Sequence, residues 1–83
     1  MTIDYSQLRS LTAREIISAL VKEGFYLRRQ VGSHGRYQHP DGRKTTVSFH
    51  RPSDTFPPKT LKNMIEDQAR WTENDLKRLG LIK

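Results

Sequence analysis

The sequence predicts an α+β domain: a three-stranded antiparallel sheet with helices packed on one face, in the order α-β-β-β-α, plus a short C-terminal helix. Three observations carry this. A capping-box pattern, Thr12-Ala13-Arg14-Glu15, precedes aliphatic residues at helical spacing. Three short runs between Phe25 and Phe49 are separated by Gly32-Ser33 and by His39-Pro40-Asp41-Gly42. A second apolar helical stripe follows Pro58. Helices flanking three consecutive strands give one sheet with its helices on one side and its other side open.

Residues 1–11 read as a lead-in without strong periodicity, and the whole chain, 1–83, as one domain. The first helix is expected from Ala13 to Glu23. Its Thr12 hydroxyl would accept from the Glu15 N–H, its core face would be Ile16, Ile17, Leu20 and Val21, and Gly24 would supply the left-handed stop. Strand one is expected over Phe25 to Val31, with Phe25 and Leu27 on one face. A regular strand would then put Arg29 on that same apolar face, so a bulge or an early exit into Gly32 is expected. Strand two should cover Gly35 to His39. The His39-Pro40-Asp41-Gly42-Arg43 hairpin should then lead into strand three, Lys44 to Phe49. Alternation puts Tyr37, Thr45, Val47 and Phe49 toward the core. His34, Arg36, Gln38, Lys44, Thr46 and Ser48 then face away from the helices.

Residues 50–58 form a polar loop broken by Pro52, Pro57 and Pro58. The second helix opens near Pro58 and buries Leu61, Met64, Ile65 and Ala69, at positions i, i+3, i+4 and i+8. Thr72-Glu73-Asn74-Asp75 caps the last short helix. Leu76 and Leu79 face inward, Gly80 stops the helix, and Leu81 and Ile82 fold back over its end; Trp71 is a core wedge between the helices.

Charge narrows the function. Fifteen Lys and Arg against nine Asp and Glu give a net +6. The segment from Lys22 to Arg51 holds seven cations and two anions, so +5 of that charge lies in the middle of the chain. A basic segment without a basic amphipathic helix points to nucleic acid and not to membrane. No cysteine is present, which removes disulfides, thiolate nucleophiles and thiolate zinc sites. The N-terminus lacks the pattern of a signal peptide and no apolar run could span a bilayer, so a cytoplasmic location is expected.

Little enzymatic chemistry remains. No cofactor or metal is expected, because the histidines and carboxylates are scattered and Gly32 with Gly35 is no phosphate loop. Ser33 and His34 are a poor nucleophile–base pair, since neighbours in extended chain point to opposite faces. Metal-independent RNA cleavage fits better. A histidine takes a proton from a ribose 2′-hydroxyl, which attacks its own phosphate, while cations stabilise the charged transition state. His34 is the candidate acid/base. Gly32, Ser33, Arg29, Arg36, Lys44 and Lys59 are the candidate RNA contacts. The rival readings are a non-catalytic RNA-binding module of the same fold and a domain that binds an acidic protein.

The Gly32-Ser33-His34 triplet, aromatic Tyr37, the His39-Pro40-Asp41-Gly42 hairpin and Lys59-Thr60-Leu61 at the head of the second helix resemble the HicA (YcfA-like) toxin family. The resemblance runs from about Leu11 to the C-terminus. It implies a fold like that of double-stranded-RNA-binding domains and an mRNA interferase whose catalytic histidine matches His34. It also implies single-stranded mRNA as substrate and a HicB-type antitoxin as partner. A monomer is expected for the free chain. Gly35 and Lys59 depart from the family, standing where a bulkier residue and a glycine, respectively, are common.

Overall fold

The computed structural model describes residues 3–82. It contains helix α1 (Ala13–Glu23), strands β1 (Tyr26–Val31), β2 (His34–Gln38) and β3 (Lys44–Ser48), helix α2 (Pro58–Lys62) and helix α3 (Glu73–Arg78). Both expected capping boxes form. Thr12 accepts from the Glu15 N–H while Glu15 accepts from the Thr12 N–H, and Thr72 and Asp75 repeat the exchange at α3. Gly24 ends α1 at φ +111°, its N–H shared between the Leu20 and Val21 carbonyls.

The sheet is antiparallel in the order β1-β2-β3. Cross-strand partners share a face, so the register assigns both faces directly. Val31, His34 and Ser48 form one outward row, Arg29, Arg36 and Thr46 the next, and Tyr26, Gln38 and Lys44 the third. The inward rows are Gln30, Gly35 and Val47, then Leu27, Tyr37 and Thr45. The pairing of β1 with β2 shifts between Leu27 and Arg29, so of the bulge and the early exit that the sequence allowed, the bulge is the one that forms. It turns Arg29 outward and leaves Leu27 on the helix-side face. Beneath the inward face lies one core, in which Leu8, Leu20, Val47, Leu61 and Leu76 are fully enclosed.

Several expectations change. Val21 is 57% exposed and does not join the core face of α1. It lies about 100° round the helix from Leu20, beyond the stripe that Ala13, Ile16, Ala19 and Leu20 bury. Leu27 has the expected direction but is 48% exposed, because the edge strand β1 overhangs the helices. Each strand is also displaced or shortened by one residue: β1 starts at Tyr26, β2 runs from His34 to Gln38, and β3 stops at Ser48.

The lead-in is part of the fold. Tyr5–Leu8 makes a 3₁₀ turn capped by Asp4, and Ile3, Leu8 and Leu11 are buried. Tyr5 donates its hydroxyl to Glu66 and is half-buried; burial first, then this carboxylate, push the phenol above its ordinary range. In the proline-rich loop Phe56 is buried as well. The second helix starts at Pro58, and its stripe Leu61, Met64, Ile65 and Ala69 is buried as expected. From Asn63 to Gln68, however, its winding is π, with the Ala69 N–H reaching back five residues to the Met64 carbonyl. The apolar spacing fits either winding. Gln68 emerges beside the sheet, where its side-chain carbonyl accepts the Thr46 N–H at 3.0 Å and occupies the free edge of β3.

Candidate nucleic-acid interface

The outward face of the sheet gathers most of the residues singled out in the sequence. His34 opens β2 and is exposed, with Nδ1 hydrogen-bonded to the Ser48 hydroxyl at 2.6 Å across the strand pair. A hydroxyl both donates and accepts, so Ser48 holds the neutral ring and the imidazolium alike. Nε2 makes no hydrogen bond among the described residues. The nucleophile–base partner considered in the sequence, Ser33, takes no part in this bond.

The turn before His34 is well braced. Gly32 adopts φ +58° at the first central position of a two-residue connection, where a side chain is disfavoured. Its carbonyl accepts from the Gln30 side chain at 2.8 Å, and the Ser33 carbonyl accepts from the Phe49 N–H at 3.0 Å. Gly35, the departure from the family pattern, has a packing reason. A Cβ there would stand 3.1 Å from the Tyr37 ring and 3.2 Å from the Gln30 side chain.

One outward row along the sheet from His34, at Arg29 and Arg36, begins a concavity of about 360 Å³ that His34 itself does not line. Arg28, Arg29, Arg36 and Lys44 contribute to its walls, together with Tyr37, Gln38, Thr45 and Thr46, and no carboxylate does. None of the four cations forms an ion pair among the described residues. Arg28 is oriented by a neutral partner, donating from Nη1 to the Gln38 side-chain oxygen at 2.9 Å. Its charge therefore stays uncompensated while its direction is fixed. Other basic side chains are spent on structure. Arg43 bonds Asp41 at 2.8 Å and the Ala69 carbonyl at 2.7 Å, and Arg78 bridges Glu23 at 2.9 Å and Asp75 at 3.1 Å.

Of the seven candidate residues, Arg29, Arg36 and Lys44 meet at this concavity, His34 lies on the same sheet, and Gly32 and Ser33 form the turn that leads into it. Lys59 stands in the first turn of α2, exposed, and does not line it. Sequence reasoning missed Ser48, Arg28 and Gln38 as contributors. Alternation had already placed Ser48 and Gln38 on the outward face, and the antiparallel register was the signal that would have paired Ser48 with His34. Arg28 gave no such signal, since its direction depends on the bulge.

His39 belongs to another setting. Its Nε2 contacts the Glu23 carbonyl at 3.1 Å, and its Nδ1 faces both the Asp41 N–H at 3.1 Å and the Asp41 carboxylate at 3.0 Å. The N–H suits the neutral ring and the carboxylate the charged one, so this ring is held in either state. Phe25 meets it edge-on at 5.1 Å between centroids. Among the described residues no group of three or more His, Asp and Glu side chains is placed to share a metal ion.

This is a small basic α+β domain that presents an imidazole among unpaired cations on an open sheet face. Residues 13–71 match the family model described as the HicA toxin of bacterial toxin–antitoxin systems. The chain belongs to the HicA toxin family and is thereby the toxin of a toxin–antitoxin pair, with a cognate antitoxin as its partner. No curated protein matches the sequence.

Proposed function

We propose that this toxin is an mRNA interferase: a metal-independent endoribonuclease with His34 as its catalytic acid/base. The observation that carries the reading is the exposed His34 ring, fixed through Nδ1 by Ser48 on the face that also holds Arg29 and Arg36. Family membership supports it from the other side.

In this reading Nε2 of His34 takes the proton of a ribose 2′-hydroxyl. The 2′ oxygen attacks the adjacent phosphorus and the bond from phosphorus to the 5′ oxygen breaks. The departing oxygen recovers a proton from the imidazolium, so that His34 serves as acid as well as base. The products are a 2′,3′-cyclic phosphate and a 5′-hydroxyl end. Arg29 and Arg36 lie opposite each other one row from His34 and offset the charge that builds on the phosphoryl oxygens. Lys44, Gly32 and Ser33 contact the same strand, and Lys59 serves a more distant part of it. A HicB-type antitoxin silences the toxin by covering this face. The toxin acts as a monomer in the cytoplasm, where mRNA is available.

The test is cleavage of single-stranded RNA by purified protein in the presence of a chelator, with His34→Ala in parallel. The proposal expects cleavage by the parent protein and none by a variant that still binds RNA. Equal cleavage by the variant removes His34 from its role. Binding without cleavage by the parent protein leaves a non-catalytic RNA-binding module.

A further inference from the structure

The outward face carries an aromatic side chain that neither the charge pattern nor the catalytic reading uses. Tyr26 opens β1, pairs with Gln38 and is 48% exposed. Its neighbour Phe25 is buried, so alternation turns Tyr26 to the opposite side, the face of His34 and Arg36. Gln38 stands in the same row and lines the cationic concavity, and its side chain also holds Arg28. One row of the sheet thus brings together an exposed aromatic residue, a neutral amide and the Lys44 ammonium. The uncompensated guanidinium of Arg28 reaches in from the bulge.

We infer that this end of the face is a nucleotide subsite: the concavity takes a backbone phosphate and Tyr26 stacks the attached base. The inference rests on the RNA reading of the surface but not on its catalysis. The chemistry is specific to single strands, whose unpaired bases expose a π face to an aromatic side chain while cations follow the phosphates. Position gives the subsite its place on the substrate. Arg36 and Gln38 lie two and four residues along β2 from His34, roughly 7–13 Å at strand rise. An extended strand with its scissile phosphate at His34 therefore puts a neighbouring phosphate in the concavity. The bulge is part of the device, since it frees Arg28 from pairing and lets its side chain reach Gln38. Recognition through stacking favours a nucleotide of any base next to the cut, held by its ring and its phosphate.

The experiment measures binding of a short single-stranded 2′-O-methyl RNA, which cannot be cleaved because its 2′ oxygen carries no proton. Tyr26→Ala should weaken binding roughly 5–150-fold, the range for losing one stacked base, while Tyr26→Phe keeps most of the affinity. Arg28→Gln should lower the salt slope of binding by about 0.7, one single-strand phosphate contact. Parent-like binding by Tyr26→Ala, with an unchanged melting temperature, overturns the stacking role; an unchanged slope in Arg28→Gln overturns the phosphate role. Neither outcome touches catalysis. A parent protein that binds as described but never cuts RNA overturns the nuclease reading and leaves the subsite standing.

Discussion

His34 opens β2 and His39 follows its last residue, and the protein treats them in opposite ways. His34 keeps one ring nitrogen for Ser48 and leaves the other without a hydrogen bond among the described residues. His39 has both nitrogens engaged, lies against Phe25 and sits so close to Gly24 that a Cβ there would approach its Nε2 to 3.0 Å. It ties the end of α1 to the β2–β3 hairpin. The same side chain is thus a structural clamp at His39 and, in the proposed reading, a reactive group at His34. What separates them is the number of ring atoms left uncommitted, not residue type or proximity to charge.

Exchanging the two imidazoles for alanine gives the sharpest contrast. His34→Ala should lower RNA cleavage by on the order of 10²–10⁴-fold with its melting temperature kept. His39→Ala should keep the activity of each folded molecule and lose about 1–2 kcal/mol of stability, because the Glu23 carbonyl and the Asp41 N–H lose their partner. Paired melting curves and single-turnover cleavage read both; a His39→Ala protein that is stable but inactive would break the contrast. Gly24→Ala probes the clamp from the other side. The alanine would sit at φ +111° and press on the His39 ring, so a loss of about 1 kcal/mol or more is expected in denaturant unfolding, with cleavage per folded molecule unchanged.

A smaller effect is expected beside His34. Ser48→Ala removes the hydrogen bond that orients His34 and should lower kcat by about 2–10-fold without raising KM, with Ser48→Thr restoring most of it. A rise in KM alone would mean that Ser48 contacts the substrate and does not position the ring. The smallest effect lies in acid. The Arg43 N–H first, then the Arg43 side chain, hold the Asp41 carboxyl below its ordinary value. A depressed carboxyl contributes stability above its unfolded value of about 4 and loses it as pH falls through the lower folded value. Asp41→Asn should therefore flatten part of the loss of melting temperature below about pH 4, with cleavage unaffected.

Local signals were legible in the sequence. Thr12 and Thr72 announce their helices because a capping box needs only four consecutive residues. The bulge after Leu27 was readable as a conflict, since strict alternation would have placed Arg29 beside Phe25. The exposure of His34 followed from the same parity rule. What escaped depends on contacts distant in sequence. Leu8 is fully buried by a single 3₁₀ turn, too short to have a period, and Phe56 is buried from within a loop that composition reads as polar. The exposure of Val21 and Leu27 reflects how far the helices extend beneath the sheet, which no single element encodes. Arg28 and Ser48 enter the site through bulge geometry and cross-strand register, both properties of paired strands.

The claim on which the account rests is that RNA meets the imidazole of His34 while that of His39 stays in its clamp. Long-range proton–nitrogen spectra of the histidine rings during titration with uncleavable 2′-O-methyl RNA test it directly. The account predicts that the His34 ring signals move to saturation and those of His39 stay fixed. Unmoved His34 signals at saturating RNA, or a shift confined to His39, would contradict it.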